Sequence, residues 1–246
     1  MFESKSQTKK LNLQEESNIN NKSKTSKVTE HLVSRRTILE TEGKMTRDWI
    51  VIGVSGVTCG GKTTLANKLQ EKLVPVYTFH QDKYFYPDDS PKHVKCENLD
   101  HNNYDILSSL DMGQMYDDIV KTMNGEVKAH GCSIEADRGK LQVHGKKFLV
   151  IEGFTVLNYK PIMELCNLRY YFVLEYGECF ARRVLRLYEP PDVPGYFDEC
   201  VWPAHLRYRA EIEKDGRVKL LDATKPDALE VVVSDLKELG ATELLG

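Results

Sequence analysis

The sequence predicts an α/β fold: a five-stranded parallel sheet with helices on both faces. Three observations predict it. Short apolar, β-branched runs alternate along the chain with segments of helical period. Each pair of successive runs is separated by enough chain for a crossover, which parallel neighbours need. A glycine-rich turn joins the first run to the first helical segment.

The elements follow in order. Residues 49–54 (WIVIGV) are a continuous buried-type strand. Residues 62–73 place Leu65, Ala66, Leu69 and Leu73 at helical spacing. Residues 76–79 read as a second, short strand, and residues 110–123 as a helix. Residues 147–151 (KFLVI) and 170–174 (YYFVL) are two more buried strands. Residues 177–188 form a basic helix, and residues 201–213 another with Pro203 in its first turn. Residues 218–221 supply the fifth strand, and residues 226–239 a closing helix with proline at its start.

Composition narrows the function classes. The 246 residues carry 34 Lys+Arg against 37 Asp+Glu, a net charge of -3. That gives no basic footprint for nucleic acid, so none is expected as a partner. No apolar run is long enough to span a bilayer, so no membrane partner is expected, and no apolar leader suggests secretion. Cys59, Cys96, Cys132, Cys166, Cys179 and Cys200 are scattered, with no C-x-x-C pair. This fits a reducing compartment, and a cytoplasmic location is expected. His93, Cys96 and His101 are spaced loosely like metal ligands, but a fourth ligand at zinc spacing is missing and the segment reads as a polar loop.

Residues 1–48 stand apart. They hold 10 Lys+Arg and 7 Asp+Glu, so the segment is +3 and the remainder -6. So polar a stretch buries too little apolar surface to offset its ordering entropy, and it is expected to be a disordered tail. Glu3, Glu15 and Glu16 argue against a mitochondrial presequence. Residues 49–246 are expected to form the folded domain.

The strongest motif is Gly56-Val57-Thr58-Cys59-Gly60-Gly61-Lys62-Thr63, which fits G-x-x-x-x-G-K-[ST] between a strand and a helix. Its backbone N–H groups, with Thr64 in the same first turn, are suited to cradle phosphates at a helix N-terminus. Lys62 is placed to reach the outer phosphates, and the Thr63 hydroxyl to ligate Mg²⁺. The fold class is therefore the P-loop NTPase type, with ATP and Mg²⁺ as expected cofactors. An Asn-Lys-x-Asp guanine reader is missing; Asn158-Tyr159-Lys160-Pro161 only echoes it.

Other residues carry acid–base and charge chemistry. Asp82 follows the second strand at the sheet's carboxyl edge, where ligands bind in open α/β sheets. It suits a base that accepts a hydroxyl proton; its plainer role is a helix cap. Glu152 ends the apolar run FLVIE, as an acid held near Mg²⁺ would; the plainer reading is a solvent-facing strand end. Arg182 and Arg186 share a helix face, with Arg183 beside them. They form either a phosphate clamp or a solvated stripe with Glu178 as partner to Arg182. Pro190 to Gly195 can only be a stiff turn, suited to the edge of a helical lid. Trp202 is assigned to packing.

At Gln81-Asp82, Tyr104-Asp105, Ile151-Glu152-Gly153-Phe154 and residues 188–203 (YEPPDVPGYFDECVWP), the chain resembles the nicotinamide riboside kinases. They belong to the nucleoside-kinase group of P-loop phosphotransferases. The resemblance runs from about Trp49 to about Leu239, and the segment after Arg186 is its most specific part. The loop and the IEGF run are shared with uridine and pantothenate kinase relatives. The resemblance implies γ-phosphoryl transfer from ATP to the 5′-hydroxyl of nicotinamide riboside, a small-molecule nucleoside, giving nicotinamide mononucleotide in NAD salvage. It implies Asp82 as the base, also near Mg²⁺, with Lys62 and Glu152 completing the catalytic set. Tyr104 and Tyr188 are implied as the pair around the nicotinamide ring, and Asp105 and Arg183 as ribose readers. Lys83, Tyr84, Phe85 and Glu189 join the implied acceptor set. Arg182, Arg186 and Leu187 fall in the implied lid over ATP, and Lys225, Pro226 and Asp227 in the loop near adenine. Lys83 departs from the family pattern, which often has an acid there. Rival readings are a uridine- or pantothenate-type kinase on the same scaffold, and a non-catalytic interaction protein.

Overall fold

The computed structural model describes residues 48–126 and 139–244. All of the polar segment 1–48 except Asp48, and Cys132 with it, lies outside the described residues.

Five strands form the main sheet. They are β1 (Trp49–Gly56), β2 (Val76–His80), β4 (Lys147–Glu152), β5 (Leu168–Val173) and β6 (Lys219–Asp222). A short strand, β3 (Leu141–Gln142), precedes β4. The sheet order is β2-β4-β1-β5-β6, and every pairing is parallel. All eight residues of β1 are buried, because it is the central strand and both of its faces are covered. On one face Ile50, Ile52 and Val54 cluster with Leu65 and Leu69 of α1 (Lys62–Lys72) and with Val232 and Leu236 of the closing helix Ala228–Glu238. On the other, Gly53 is approached so closely by Leu157 and Cys166 that a Cβ would lie 2.7 Å from each. The five predicted strands are therefore all present, in one parallel sheet.

The helices were legible to different degrees. Helix α2 spans Met112–Met123 rather than beginning at residue 110, because Asp111 caps it: its carboxylate accepts from the Gln114 N–H at 3.0 Å. A short helix, α3 (Lys160–Leu165), has no counterpart in the predicted set. The basic helix is shorter than residues 177–188. It runs as α4 (Tyr176–Arg183) and tightens where the Arg186 N–H donates to the Arg183 carbonyl. The predicted helix over 201–213 is a wide π-type turn (Phe197–Val201) running into α5 (Trp202–Ile212). Pro203 sits in the first turn of α5 and has no N–H to give back to the preceding turn. The closing helix is α6 (Ala228–Glu238). A two-stranded antiparallel ladder of β3 with β7 (Thr242–Glu243) is also unpredicted, two residues being too few to show alternation.

Candidate active site

The carboxyl ends of β1, β2 and β4 converge on one point. Parallel register puts Glu152 of β4 level with Val54 of β1 and His80 of β2. The loop after β1 begins at Gly56, whose φ is +123° and whose added Cβ would lie 2.3 Å from the Phe172 carbonyl oxygen. Only glycine fits there. Cys59 also takes positive φ, at 57°. Gly61 caps α1 with φ 93°, so Lys62, Thr63 and Thr64 open the helix and turn its N-terminus toward the loop.

The Lys62 ammonium is half-buried and donates to the Val57 carbonyl at 2.7 Å. Burial lowers its pKa, against the pull of Glu152 and Asp82. Thr63 Oγ1 donates to Glu152 Oε1 at 3.3 Å, and His80 Nδ1 lies 2.7 Å from the same oxygen. Glu152 is 3% exposed, so the solvent-facing reading of this acid is wrong: the end of β4 is covered. Asp82 lies in a 3₁₀ turn, Gln81–Tyr84, directly after β2. The N-cap position of this turn is His80, so Asp82 lies inside the turn and not at its cap. Asp82 is exposed to the open cavity, yet loss of water around it raises its pKa first and the Glu152 charge next, while Lys62 and Arg186 oppose both.

These groups open onto a cavity of about 380 Å³. Thr58, Lys62, Thr63, Asp82 and Glu152 line one end. Phe85, Tyr104, Phe154, Tyr188 and Tyr196 supply aromatic walls. Phe85 stacks on Phe154 at 6.1 Å and meets Tyr104 edge-on at 6.0 Å. Asp105 is half-buried beside Arg183, with 3.7 Å between their charged atoms, and accepts from the Tyr196 hydroxyl at 2.9 Å. Burial raises the Asp105 pKa; Arg183 and the Tyr196 bond pull it back. The Tyr196 hydroxyl also accepts from the Tyr104 N–H at 2.9 Å, tying both acceptor-side residues to one phenol. Arg183 is 6% exposed. It grips Asp192 with two bonds of 2.7 and 3.0 Å, reaches Thr58 Oγ1 at 3.2 Å, and lies 4.3 Å from the Tyr188 ring centre. A separate hollow of about 500 Å³, lined by Asn67, Gln70, Glu71 and Lys140, shares none of these groups.

The sequence-derived residues divide accordingly. Thr58, Lys62, Thr63, Asp82, Phe85, Tyr104, Asp105, Glu152, Arg183, Arg186, Tyr188 and Glu189 share the one cavity. Lys83 is exposed, and the Tyr84 hydroxyl is turned to Asp118 on α2 at 3.3 Å, so neither lines it. Arg182 has its expected Glu178 partner at 2.7 Å. It also donates to the carbonyls of Cys59 and Ala223, joining the phosphate loop to the turn after β6. Lys225, Pro226 and Asp227 lie just beyond that turn and outside the cavity lining; Leu187 is fully exposed. Asp88, Phe154, Pro190, Asp192 and Tyr196 line the cavity without having been singled out for it. Phe154, Pro190, Asp192 and Tyr196 lie inside the motifs of the resemblance, which was the available signal; Asp88 lies in none. His93 and His101 do not converge on Cys96: His93 Nε2 faces the Tyr86 and Pro87 carbonyls, and His101 Nε2 the Pro191 carbonyl.

A glycine-rich loop at a helix N-terminus, a half-buried lysine, two carboxylates and an aromatic-walled cavity at one sheet edge define a P-loop phosphotransferase. No family model matches the chain. It is 38% identical over 185 residues to nicotinamide riboside kinase 2 of Mus musculus, covering 73% of this chain and 91% of that protein. It is 36% identical over 205 residues to nicotinamide riboside kinase 1 of Homo sapiens, covering 79% and 96%. A uridine kinase of Brevibacillus brevis is more distant, 27% identical over 174 residues, covering 65% and 78%. The chain belongs to the nicotinamide riboside kinase family.

Proposed function

We propose that this protein transfers the γ-phosphoryl group of ATP to the 5′-hydroxyl of nicotinamide riboside, giving nicotinamide mononucleotide. The observation that carries the reading is the single cavity running from Lys62, Thr63, Asp82 and Glu152 to Tyr104, Asp105, Arg183 and Tyr188. One end suits phosphates and the other a ribosylated cationic ring. Asp82 takes the acceptor proton, and the upward push on its pKa makes it a better base near neutral pH. Asp105, steadied by Arg183 and Tyr196, accepts from ribose hydroxyls. The faces of Tyr104 and Tyr188 attract the pyridinium, an effect of about 0.5–2 kcal/mol.

The donor set also fits Mg²⁺. Thr63 offers a hydroxyl, and Asp82 and Glu152 offer carboxylates whose mutual repulsion a hard cation relieves. When bound, Mg²⁺ supplies charge neutralisation on the phosphates. Lys62 adds a fixed positive charge at the loop, and Arg182 and Arg186 flank it from α4 and the turn that follows. We place the reaction in the cytoplasm, since the five described cysteines are free thiols. Among the described residues, no helix is long and apolar enough to cross a membrane.

The test is a coupled ADP assay on a nucleoside panel. Nicotinamide riboside is expected to exceed uridine in kcat/KM, and ribosides to exceed 2′-deoxyribosides by orders of magnitude, since a site built for a hydroxyl rejects its absence. Tyr104→Ala is expected to weaken nicotinamide riboside by about 1–3 kcal/mol and leave the ATP KM nearly unchanged. Uridine or pantothenate outperforming nicotinamide riboside would overturn the acceptor assignment.

A further inference from the structure

Cys96 and Cys200 meet below the acceptor side of the cavity, and the reaction makes no use of them. Cys200 donates its S–H to Cys96 Sγ at 2.9 Å, across 104 residues of sequence. Among the described residues no other two sulfurs make such a contact. Both are buried, 7% and 4% exposed, in an apolar cluster with Val57, Leu174, Phe197 and Val201. Cys96 belongs to a small hairpin-like loop. Its N–H donates to the His101 carbonyl at 2.9 Å, Lys95 bridges Asn102, and the Asn103 N–H donates to the Val94 carbonyl at 2.7 Å. That loop leads directly into Tyr104 and Asp105. Cys200 lies in the π-type turn Phe197–Val201, which follows Tyr196, the residue that bonds both Tyr104 and Asp105.

We propose that Cys96 and Cys200 are a site of reversible disulfide formation, closed by a hydroperoxide, that ties the loop leading into the acceptor wall to the π-type turn. Two thiols this close need only a short approach of the sulfurs to bond, at about 2.05 Å. Glu199 is near enough to complete a three-ligand set with the two sulfurs. Its oxygens are instead occupied by the Asn98 N–H at 2.9 Å and the Asn98 side-chain amide at 3.3 Å. The pair is therefore read as a thiol couple rather than a cation site.

The chemistry balances. Cys96, as thiolate, attacks a peroxide oxygen; the S–O bond forms, the O–O bond breaks, and hydroxide leaves. Cys200 gives up its proton and attacks the Cys96 sulfur; the S–S bond forms, the S–O bond breaks, and water leaves. Two thiols are oxidised by two electrons, and one hydrogen peroxide is reduced to two waters. Burial, then the sulfur contact with Cys96, pushes the Cys200 thiol up, which suits it to the second, resolving role. Hydrogen peroxide is small enough to reach a site from which bulkier disulfides are shut out by burial.

The test uses the full chain, first reduced, then treated with limiting hydrogen peroxide, alkylated after denaturation and digested. The expected result is a linked peptide pair containing Cys96 and Cys200, about 2 Da lighter than the two thiol peptides and separated again by dithiothreitol. The linked chain is expected to melt about 5–15 °C higher, since a cross-link closing so long a loop restricts the unfolded chain. Cys96→Ser and Cys200→Ser should each abolish that shift and keep turnover in the reduced state. Peptide masses separate this bond from oxidation at Cys59 in the phosphate loop. The proposal is overturned if the parent yields no linked pair, or if both thiols proceed to sulfinic acid. It is overturned as well if the linked chain melts no higher, or if the protein holds a stoichiometric thiophilic metal lost in both variants.

Discussion

At the scale of single residues, the site is a set of charges balanced against one another, from buried Glu152 to Asp82 exposed in the cavity. Asp82 and Glu152 repel, while Lys62 sits between attraction to both and the cost of its own burial. Asp82→Asn keeps the shape but loses proton acceptance, so turnover should fall by roughly 10²–10⁴-fold with little change in ATP binding. Lys62→Ala should cut turnover severely by removing the cation at the loop. Steady-state kinetics checks both, and Asp82→Asn turning over near the parent rate would remove Asp82 from the base role. A buried neutral imidazole ties stability to pH. His205 packs under the sheet edge with its Nδ1 3.3 Å from the Tyr171 hydroxyl, and Nε2 has no partner. Burial, then Arg209, lowers its pKa to about 4, from 6.5. The unfolded chain therefore binds the proton more readily. The stability tied to neutral His205 is complete above pH 6.5 and is lost as pH falls toward 4. A shift of that size corresponds to about 3 kcal/mol. Urea melts of the parent between pH 7 and pH 4.5 should show this loss, and His205→Gln should flatten it. An equal slope in the variant would assign the acid sensitivity to other groups.

At the scale of elements, α4 and the turn after it decide how the cavity closes. Arg182, Arg183 and Arg186 read as one basic stripe in sequence, but the fold separates them. Arg182 is a strut between the phosphate loop and the turn after β6. Arg183 is buried under Tyr188 and pairs with Asp105 and Asp192. Arg186 stays exposed beside Cys59. Arg183→Ala removes a buried cation and leaves two half-buried carboxylates without it. It should raise the nucleoside KM and cost about 3–5 kcal/mol of stability, the usual loss on breaking a buried pair. Arg182→Ala and Arg186→Ala should act on ATP use instead, with small stability effects because Arg182 pairs with Glu178 near the surface and Arg186 is exposed. Kinetics with each substrate varied in turn, together with thermal melts, separates the two patterns; three silent variants would restore the solvated stripe. The early end of α4 was not legible because nothing local marks it. Continuing the helical period to Tyr188 satisfies propensity, while the observed turn satisfies Tyr188, whose hydroxyl meets Thr58 at 3.2 Å. The phosphate loop was legible because cradling an anion fixes both residue type and spacing over eight positions. Asp88 was not, since a residue outside every motif becomes cavity lining only when distant segments meet.

At the scale of the whole molecule, the core and the site are assembled from the same strand order. Placing β1 between β4 and β5 gives the protein its buried centre and brings the glycine loop, Asp82 and Glu152 to one edge. The run WIVIGV announced that strand because a strand buried on both faces has no polar side to interrupt it. The order of its neighbours was not legible, since five apolar runs can be arranged in several parallel orders. The same assembly predicts where the folded unit begins. Trp49 opens β1 at 3% exposure, and its indole N–H donates to the Met123 carbonyl at 3.1 Å, closing the base of the sheet against α2. Every described strand, cavity-lining residue and core cluster lies at or after that tryptophan. Residues 1–44 hold little apolar side-chain surface and a net positive charge, and they supply no motif to the site. A chain beginning at Met45 should therefore match the full chain in Tm and in kcat/KM for both substrates. The two chains can be compared by thermal melt and by the coupled assay in one buffer. A drop of several degrees, or a clear loss of rate, would show that the first 44 residues contribute to the fold or to the site, and would move the boundary of the catalytic unit upstream.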